Sequence, residues 1–492
     1  MGETQHQQRS VTNRLSKSRF MEGLRCPRAL YLSVHNYDAK DQPTLAQQAR
    51  FDAGNAVGEL ARRRYVGGVL IEESHLDHGA AMESTRSALA SGAPAIFEAA
   101  FAYDDIKVRV DVLRKLPNGA FELIEVKSTG GYVEAKHLPD AAVQLYVLDG
   151  CGIDVQRTTL LHMNKAYVYE GGAHDPQTLF AGTDITTQAR AYLHRIPETV
   201  AQMKLCIAAA HPPTIEPGPF CHKPYDCGFI GFCGAGVTEL DMGGELETVE
   251  PVLSRLDGLP FPLHFVDFET LAPAVPLLPG TSPFQPARVQ WSMHTLRDDG
   301  TVEHREWLAT DTAVNPDEEF VATLLAALGD SGTFVHYSPF ERTQLIDIAL
   351  RNPPLRQPLV DRLPGIAARL NEKLAAHGEP EVRPRHCGLV DFDLGVQVVR
   401  PGCLHPAFGH RQYSIKTAIK LLAPHLPPYE GFAVSNGDEA MAALAAMLDG
   451  SIDQAQREQI RRELLAYCEQ DTRAMLEIFR TLTQLRKGPA SH

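Results

Sequence analysis

The chain has 492 residues, 44% of them apolar and 22% charged, with a net charge of −14. That length is more than one hydrophobic core absorbs, so two or three domains are expected of an ordinary globular protein. The acidic balance excludes a protein that coats nucleic acid, because phosphate affinity comes from Lys and Arg, and no apolar run approaches the roughly 18 residues of a membrane-spanning helix.

In chain order, residues 1–14 read as a disordered or poorly ordered tail. It lacks the apolar stretch of a secretory signal, and its Met-Gly start is not followed by Ser or Thr at the sixth position, so a cytoplasmic protein with no membrane partner is expected. Residues 15–65 read as helical, with Gly54 and Gly58 interrupting and with basic runs at Arg14, Lys17, Arg19, Arg25, Arg28 and Arg62–Arg64. From Ala95 to Lys127 the pattern turns to strands, IFEAAF, IKVRVDVL and AFELIEVK, in which apolar and polar positions alternate. The last two flank Pro117-Asn118-Gly119. Pro suits the first central turn position and Gly the left-handed position of a G1 bulge, so a three-residue loop is expected. That loop pairs Leu116 with Ala120 and sets Asp111 opposite Glu125; a two-residue loop would put the acids on opposite faces.

A helical TVAQMKLCIAAA leads to a cysteine-rich loop, Pro217–Gly234, and residues 236–260, acidic and Gly-rich, read as a linker. A second α/β region of about 230 residues then opens with the strand LHFVDFET. The strand-like GTFVHY, the helix-like FERTQLIDIALR, a Pro/His-rich loop at 401–412 and a long amphipathic helix from about Gln454 to Leu485 follow.

Nine cysteines in a reducing compartment are not expected to pair as disulfides. Cys151, Cys206, Cys387, Cys403 and Cys468 stand singly among apolar neighbours and read as small buried hydrophobes. Cys221, Cys227 and Cys233 are spaced C-x5-C-x5-C in a loop of Gly, Pro and aromatics, and Cys26 in LRCPRALYL is the best remote fourth. Four thiolates can hold zinc or an iron–sulfur cluster; the absence of closely paired cysteines favours the cluster.

Asp111 precedes the turn, and Glu125 and Lys127, two apart on the next strand, share a face. Carboxylates that hold a hard cation, beside a lysine that stabilises developing charge, suit phosphodiester hydrolysis. Asp267 and Glu269 in HFVDFET likewise share a face, and Tyr467 and Asp471 in YCEQD are one helical turn apart.

In their order and with the cysteines, VRVDVL, LIEVKST and Gln144 in AVQLYVL resemble the RecB-like PD-(D/E)XK nucleases. More closely they resemble the iron–sulfur members, the CRISPR-associated exonucleases and AddB-type helicase–nucleases. Over 15–235 this resemblance implies a restriction-endonuclease-like mixed sheet with helices. It makes Asp111 and Glu125 metal ligands, Lys127 the catalytic lysine and Gln144 the motif glutamine, with Cys26, Cys221, Cys227 and Cys233 on a [4Fe–4S] cluster. The family's histidine ligand has no counterpart near Gly54–Gly58, which leaves Glu59 or Glu98 as substitutes.

Over 261–492 the motifs resemble the DEDD, DnaQ-like 3′–5′ exonucleases of the tyrosine subclass. This implies an RNase H-like mixed sheet with flanking helices and two metals, Mg²⁺ or Mn²⁺, on Asp267, Glu269 and Asp471, with Tyr467 orienting water. YSIKTAIKLL resembles a structural helix of that fold. The middle motif departs: Phe340-Glu341 stands for Phe-Asp, so Glu341 is the candidate third carboxylate and Asp391 or Asp393 in LVDFDL the fallback. The tandem arrangement resembles a bacterial family known mainly as a domain of unknown function. The reading is an α/β, two-domain, metal-dependent nuclease acting on nucleic acid, as an exonuclease on single-stranded DNA ends. The alternatives are an RNA-directed 3′–5′ exonuclease or a nucleic-acid-binding scaffold with degenerate sites. An iron–sulfur redox enzyme is disfavoured, because no G-x-G-x-x-G follows a strand.

Overall fold

A computed structural model describes residues 15–132, 134–223, 225–234, 242–310, 314–411, 413–429, 434, 436–448 and 452–487. The expected tail 1–14 lies outside them. The chain divides near residue 238 into two compact units, apart from short exchanges at 169–171 and 282–284. Both are α/β, as expected, and no helix among the described residues is long and apolar enough to cross a membrane.

The first unit is built on a seven-stranded mixed sheet. Its strands are β1 (Leu15–Ser16), β2 (Val69–Leu70), β3 (Ala95–Tyr103), β4 (Ile106–Lys115), β5 (Phe121–Lys127), β6 (Val155–Met163) and β7 (Phe180–Asp184). Strands β2 to β7 lie side by side in sequence order and β1 pairs with β4; β5 and β6 run parallel while β3–β4–β5 is an antiparallel meander. Around it lie α1 (Lys17–Arg25), α2 (Pro27–His35), α3 (Leu45–Arg62), α4 (Glu134–Gly150) and α5 (Ile196–Ala208). Thr44 and Gln47 form a capping box that starts α3, and the helix continues through Gly54 and Gly58, where a Cβ would meet nothing. The expected interruption is therefore absent: two glycines, one exposed and one half-buried, weaken a helix by about 1 kcal/mol each without ending it.

The second unit opens with β8 (Glu247–Thr248). Its five-stranded sheet comprises β9 (Leu263–Leu271), β10 (Ala287–Leu296), β11 (Val302–Leu308), β12 (Thr333–His336) and β13 (Val390–Asp393). The spatial order is β11-β10-β9-β12-β13, with β9–β10–β11 antiparallel and β9, β12 and β13 parallel. This is a mixed sheet of the kind the resemblance implied. Strand β9 is central and buried on both faces: Phe265 joins one core, Val266 and Phe268 the other. Later elements are α6 (Phe340–Arg351), β14 (Cys403–Leu404), α7 (Ile415–Leu422) and α8 (Gln454–Lys487).

Part of the expected linker, 236–260, lies outside the described residues, but from Glu247 it is folded into the second unit. Strand β8 pairs with β14, and Leu253 and Leu256 are buried in the core. Acidic and glycine-rich composition concealed two leucines one helical turn apart. The expected 401–412 loop likewise contains β14 and a 3₁₀ turn, Pro406–Arg411.

Candidate metal centres

In the first unit the four candidate cysteines converge. Cys26 ends α1 and begins α2, its N–H donating to Glu22 O at 2.8 Å. Together with Cys221, Cys227 and Cys233 it lines one small cavity beside Phe220 and Phe229. Arg25 holds the loop in place through the carbonyls of Phe220, Cys221 and Tyr225, at 2.8, 2.7 and 2.5 Å. All nine cysteines are free thiols. Of the five read as buried hydrophobes, Cys403 and Cys468 are buried, but Cys151 and Cys387 are exposed and Cys206 is half-buried. Cys151 follows the last residue of α4, so its apolar neighbours face the core while it does not.

The carboxylates of this unit meet across the β4–β5 hairpin. Leu116 N–H donates to Ala120 O at 2.8 Å and Gly119 takes φ +89°, so the loop is Pro117-Asn118-Gly119. The pairs Lys115↔Phe121 to Val112↔Ile124 set the register, and its next step puts Asp111 opposite Glu125. On the other side, Phe97↔Val112 and Ala99↔Val110 bracket Glu98 opposite Asp111. Glu98 has φ +55°, a conformation that costs a non-glycine residue on the order of 1 kcal/mol or more. Three acids thus stand in a row over β3, β4 and β5. Arg109 Nε lies 4.0 Å from Glu98, whereas Glu59 is exposed on α3 and takes no part in the cluster.

Asp111 Oδ2 accepts the Val126 N–H at 2.7 Å. Glu125 is fully buried: its Oε1 accepts from Lys127 at 2.6 Å and from Lys17 at 3.0 Å, and its Oε2 from Gln144 at 2.5 Å. Lys127 also donates to Asp140 at 2.5 Å, and Lys17 lies 3.7 Å from the same carboxylate. Two ammonium groups therefore bridge two carboxylates. Burial, with Glu125 beside it, pushes Asp111 up to about 7. At Glu125 burial acts the same way, but Lys127 and Lys17 outweigh it and hold the carboxyl well below its usual range. Asp140 and Lys17 escaped the sequence reading. Asp140 had a signal, since it lies four residues before Gln144 on one face of α4; Lys17, 108 residues from Glu125, had none.

In the second unit Asp267 and Glu269 point from β9 toward the face covered by α8, where Tyr467 and Asp471 lie one turn apart. One oxygen each of Asp267, Glu269 and Asp471 lie within 4.8 Å of one another, a group that could hold a metal ion. Glu341, buried in the first turn of α6, hydrogen-bonds Asp267, and its Oε2 is buried without a hydrogen-bond partner among the described residues. Of the fallback acids, Asp391 is engaged elsewhere, while Asp393 adjoins Glu341 through His336, whose Nδ1 lies 3.8 Å from a carboxylate oxygen of each. Asp391 accepts from His336 at 3.0 Å and Arg342 at 3.3 Å, and Asp393 accepts the Val396 N–H at 2.8 Å. The geometry therefore joins Glu341 to the set rather than Asp391.

Burial first, and the neighbouring carboxylates after it, push Asp267, Glu269 and Glu341 well above the ordinary range. Asp471 rises only to about 6, because Tyr429, Lys416 and Tyr467 offset its burial. Lys416, on α7, lies 5.0 Å from the ring of Tyr429 and 5.6 Å from that of Tyr467. The Cys468 thiol sits 3.3 Å from Asp267 Oδ2. Lys416 was inside a recognised motif, YSIK, but was read only as part of a helix; Tyr429 carried no signal.

The chain is an α/β protein of two units, the second of which carries an acidic group, half-buried at Asp267 and Glu269 and buried at Asp471, that could hold a metal ion. A family model described as a domain of unknown function (DUF2779) matches residues 264–375, a stretch that includes Asp267, Glu269 and Glu341 but ends before Lys416, Tyr467 and Asp471. No curated protein matches the chain significantly.

Proposed function

We propose that this protein is a metal-dependent nuclease that hydrolyses phosphodiester bonds, with one site in each unit. The observation that carries the reading is the convergence in the second unit of Asp267, Glu269, Asp471 and Glu341, acids from β9, α8 and α6. Four clustered carboxylates, Asp471 and Glu341 buried and Asp267 and Glu269 half-buried, are costly with so little compensating charge unless cations neutralise them. The donor set, all hard oxygen, fits Mg²⁺ or Mn²⁺. Such ions polarise the scissile phosphate and lower the pKa of bound water. The protein's own part is to hold the four acids in place and, through the Tyr467 hydroxyl, to orient the attacking water.

In the first unit, Asp111 and Glu125 are the acids a cation would share, and Lys127 is placed to stabilise charge developing on phosphate. The Cys26, Cys221, Cys227 and Cys233 cavity suits a Cys₄-held group, and we assign it a [4Fe–4S] cluster. Such a cluster would brace the loop onto α2.

The narrower reading, exonucleolytic action on single-stranded DNA ends in the cytoplasm, rests on the resemblance of the motifs. End-labelled DNA and RNA, each single- and double-stranded, with Mg²⁺ or Mn²⁺, test it. Wild type should cleave single-stranded DNA, Lys127→Ala and Asp267→Ala should each lose one activity, and RNA-only cleavage would make the substrate RNA. Binding without cleavage by wild type would sink the enzyme reading in favour of a scaffold.

A further inference from the structure

Tyr429 belongs to none of the motifs, yet it touches a candidate metal ligand. It is 3% exposed, and its hydroxyl donates to Oδ1 of Asp471. Its ring meets that of Tyr467 edge-on, 6.1 Å between centroids and at 67°. Lys416 lies over both rings, which ties the pair to the start of α7. Tyr467 also hydrogen-bonds Asp471, so one carboxylate receives two phenols.

That duplication has a chemical meaning. A phenol has one proton: while the Tyr467 hydroxyl donates it to Asp471, it can only accept from a water molecule. An aspartate at the end of two side-chain torsions swings unless a donor fixes one of its oxygens, and a ligand that swings loses metal affinity. With Oδ1 fixed from one side, the rest of the carboxylate stays turned toward Asp267 and Glu269, and Tyr467 need not supply that restraint. Burial against a ring neighbour makes the Tyr429 hydroxyl a fixed donor rather than a mobile one.

We propose that Tyr429 is a positioning residue that fixes Asp471 as a metal ligand, leaving the Tyr467 hydroxyl for the attacking water. This division of labour between two tyrosines rests on the reading of the second unit as a metal-dependent nuclease site.

The test uses the full-length protein and Mn²⁺ alone, followed by the loss of the free-ion electron paramagnetic resonance signal. Asp267→Ala defines the second unit's binding by difference. Tyr429→Phe, which keeps the ring and removes the hydroxyl, should weaken Mn²⁺ there by roughly 10–100-fold, the usual effect of losing a ligand's outer partner. Its cleavage rate should return to that of wild type at saturating Mn²⁺. Tyr467→Phe should do the reverse, lowering the rate at saturating Mn²⁺ while binding the ion like wild type. Tyr429→Phe that binds Mn²⁺ like wild type overturns the proposal. So does an equal loss when the same change is made in an Asp471→Asn background, because the effect would then not run through that carboxylate. Should wild type hold no Mn²⁺ that Asp267→Ala releases, the nuclease reading of the unit fails, a result distinct from failure of the tyrosine assignment alone.

Discussion

Asp111 stands directly across from Glu125 on adjacent strands because the loop between them has three residues, with Gly119 at φ +89°. Side chains alternate at every step along a strand, so a loop one residue shorter would carry Asp111 to the far face and dissolve the pair. Gly119→Ala puts a Cβ into a left-handed position and should cost about 1 kcal/mol. That is a fall of roughly 2–4 °C in the first unit's melting temperature for a domain of this size. Deletion of Pro117 should abolish the first unit's cleavage. An unchanged melting temperature for Gly119→Ala, or an active Pro117 deletion, counts against the register argument.

The Lys17–Glu125–Lys127–Asp140 arrangement makes the two lysines unequal in role but linked in charge. Lys127→Ala should remove first-unit cleavage, and Lys17→Ala should reduce it less while raising affinity for the divalent ion, because one competing ammonium leaves Glu125. Titration calorimetry with Mn²⁺ checks the second point. If Lys17→Ala weakens Mn²⁺ binding, Lys17 supports the ligand geometry instead of competing for it.

Protein purified without oxygen should be brown, from thiolate-to-iron charge transfer, with iron and sulfide in equal amounts. Cys227→Ser should lose the colour and lower solubility. Colourless protein with stoichiometric zinc would keep the Cys₄ site but remove the cluster.

Glu341 and Asp391 compete for the same role, and their partners separate them. Glu341→Ala should cost most of the second unit's activity, since it removes a carboxylate that touches Asp267. Asp391→Ala should cost little, since that carboxylate is occupied by His336 and Arg342. The opposite pattern in kcat would overturn the assignment of the middle acid.

Two buried histidines should each lose their stabilising contribution in mild acid. Burial pushes His264, and burial with His304 beside it pushes His294, down to about 4. Each folded pKa is below the unfolded value near 6.5, so the unfolded chain takes up protons first. The stabilisation is full above about pH 6.5 and is lost as pH falls toward 4. By pH 5 the loss is on the order of 2 kcal/mol per histidine. Asp267, Glu269, Glu341 and Asp471, whose carboxyls burial pushes up, act in the opposite sense over the same range. The histidine contribution is therefore read by comparison: in urea unfolding of the second unit, wild type should lose more stability, or gain less, between pH 7 and pH 5 than His264→Asn with His294→Asn. An equal pH dependence in the two would contradict it.

Much of this protein is written locally. The β4–β5 hairpin, its register, β9, α6 and the long α8 follow from period, turn chemistry and helix patterning, all interactions between near neighbours in the chain. Hence the places of Asp111, Glu125, Lys127, Asp267, Glu269, Tyr467 and Asp471 on their elements were legible. The choice of Glu341 over Asp391 was not: both are acids on plausible elements, and only the packing of α6 near β9 and of β13 beside β12 gives one to Asp267 and the other to His336. Asp140 lies one helical turn before Gln144, whereas Lys17 and Tyr429 entered the sites by the same route as Glu341. So did the burial of Leu253 and Leu256 in a segment whose composition read as linker, and the exposure of Cys151 and Cys387. The sequence by itself determined which elements form and which face each acid takes, because those depend on spacing. The tertiary structure alone decided which side chains share a charge or a proton, because that depends on contacts between elements far apart in the chain, which no local pattern encodes.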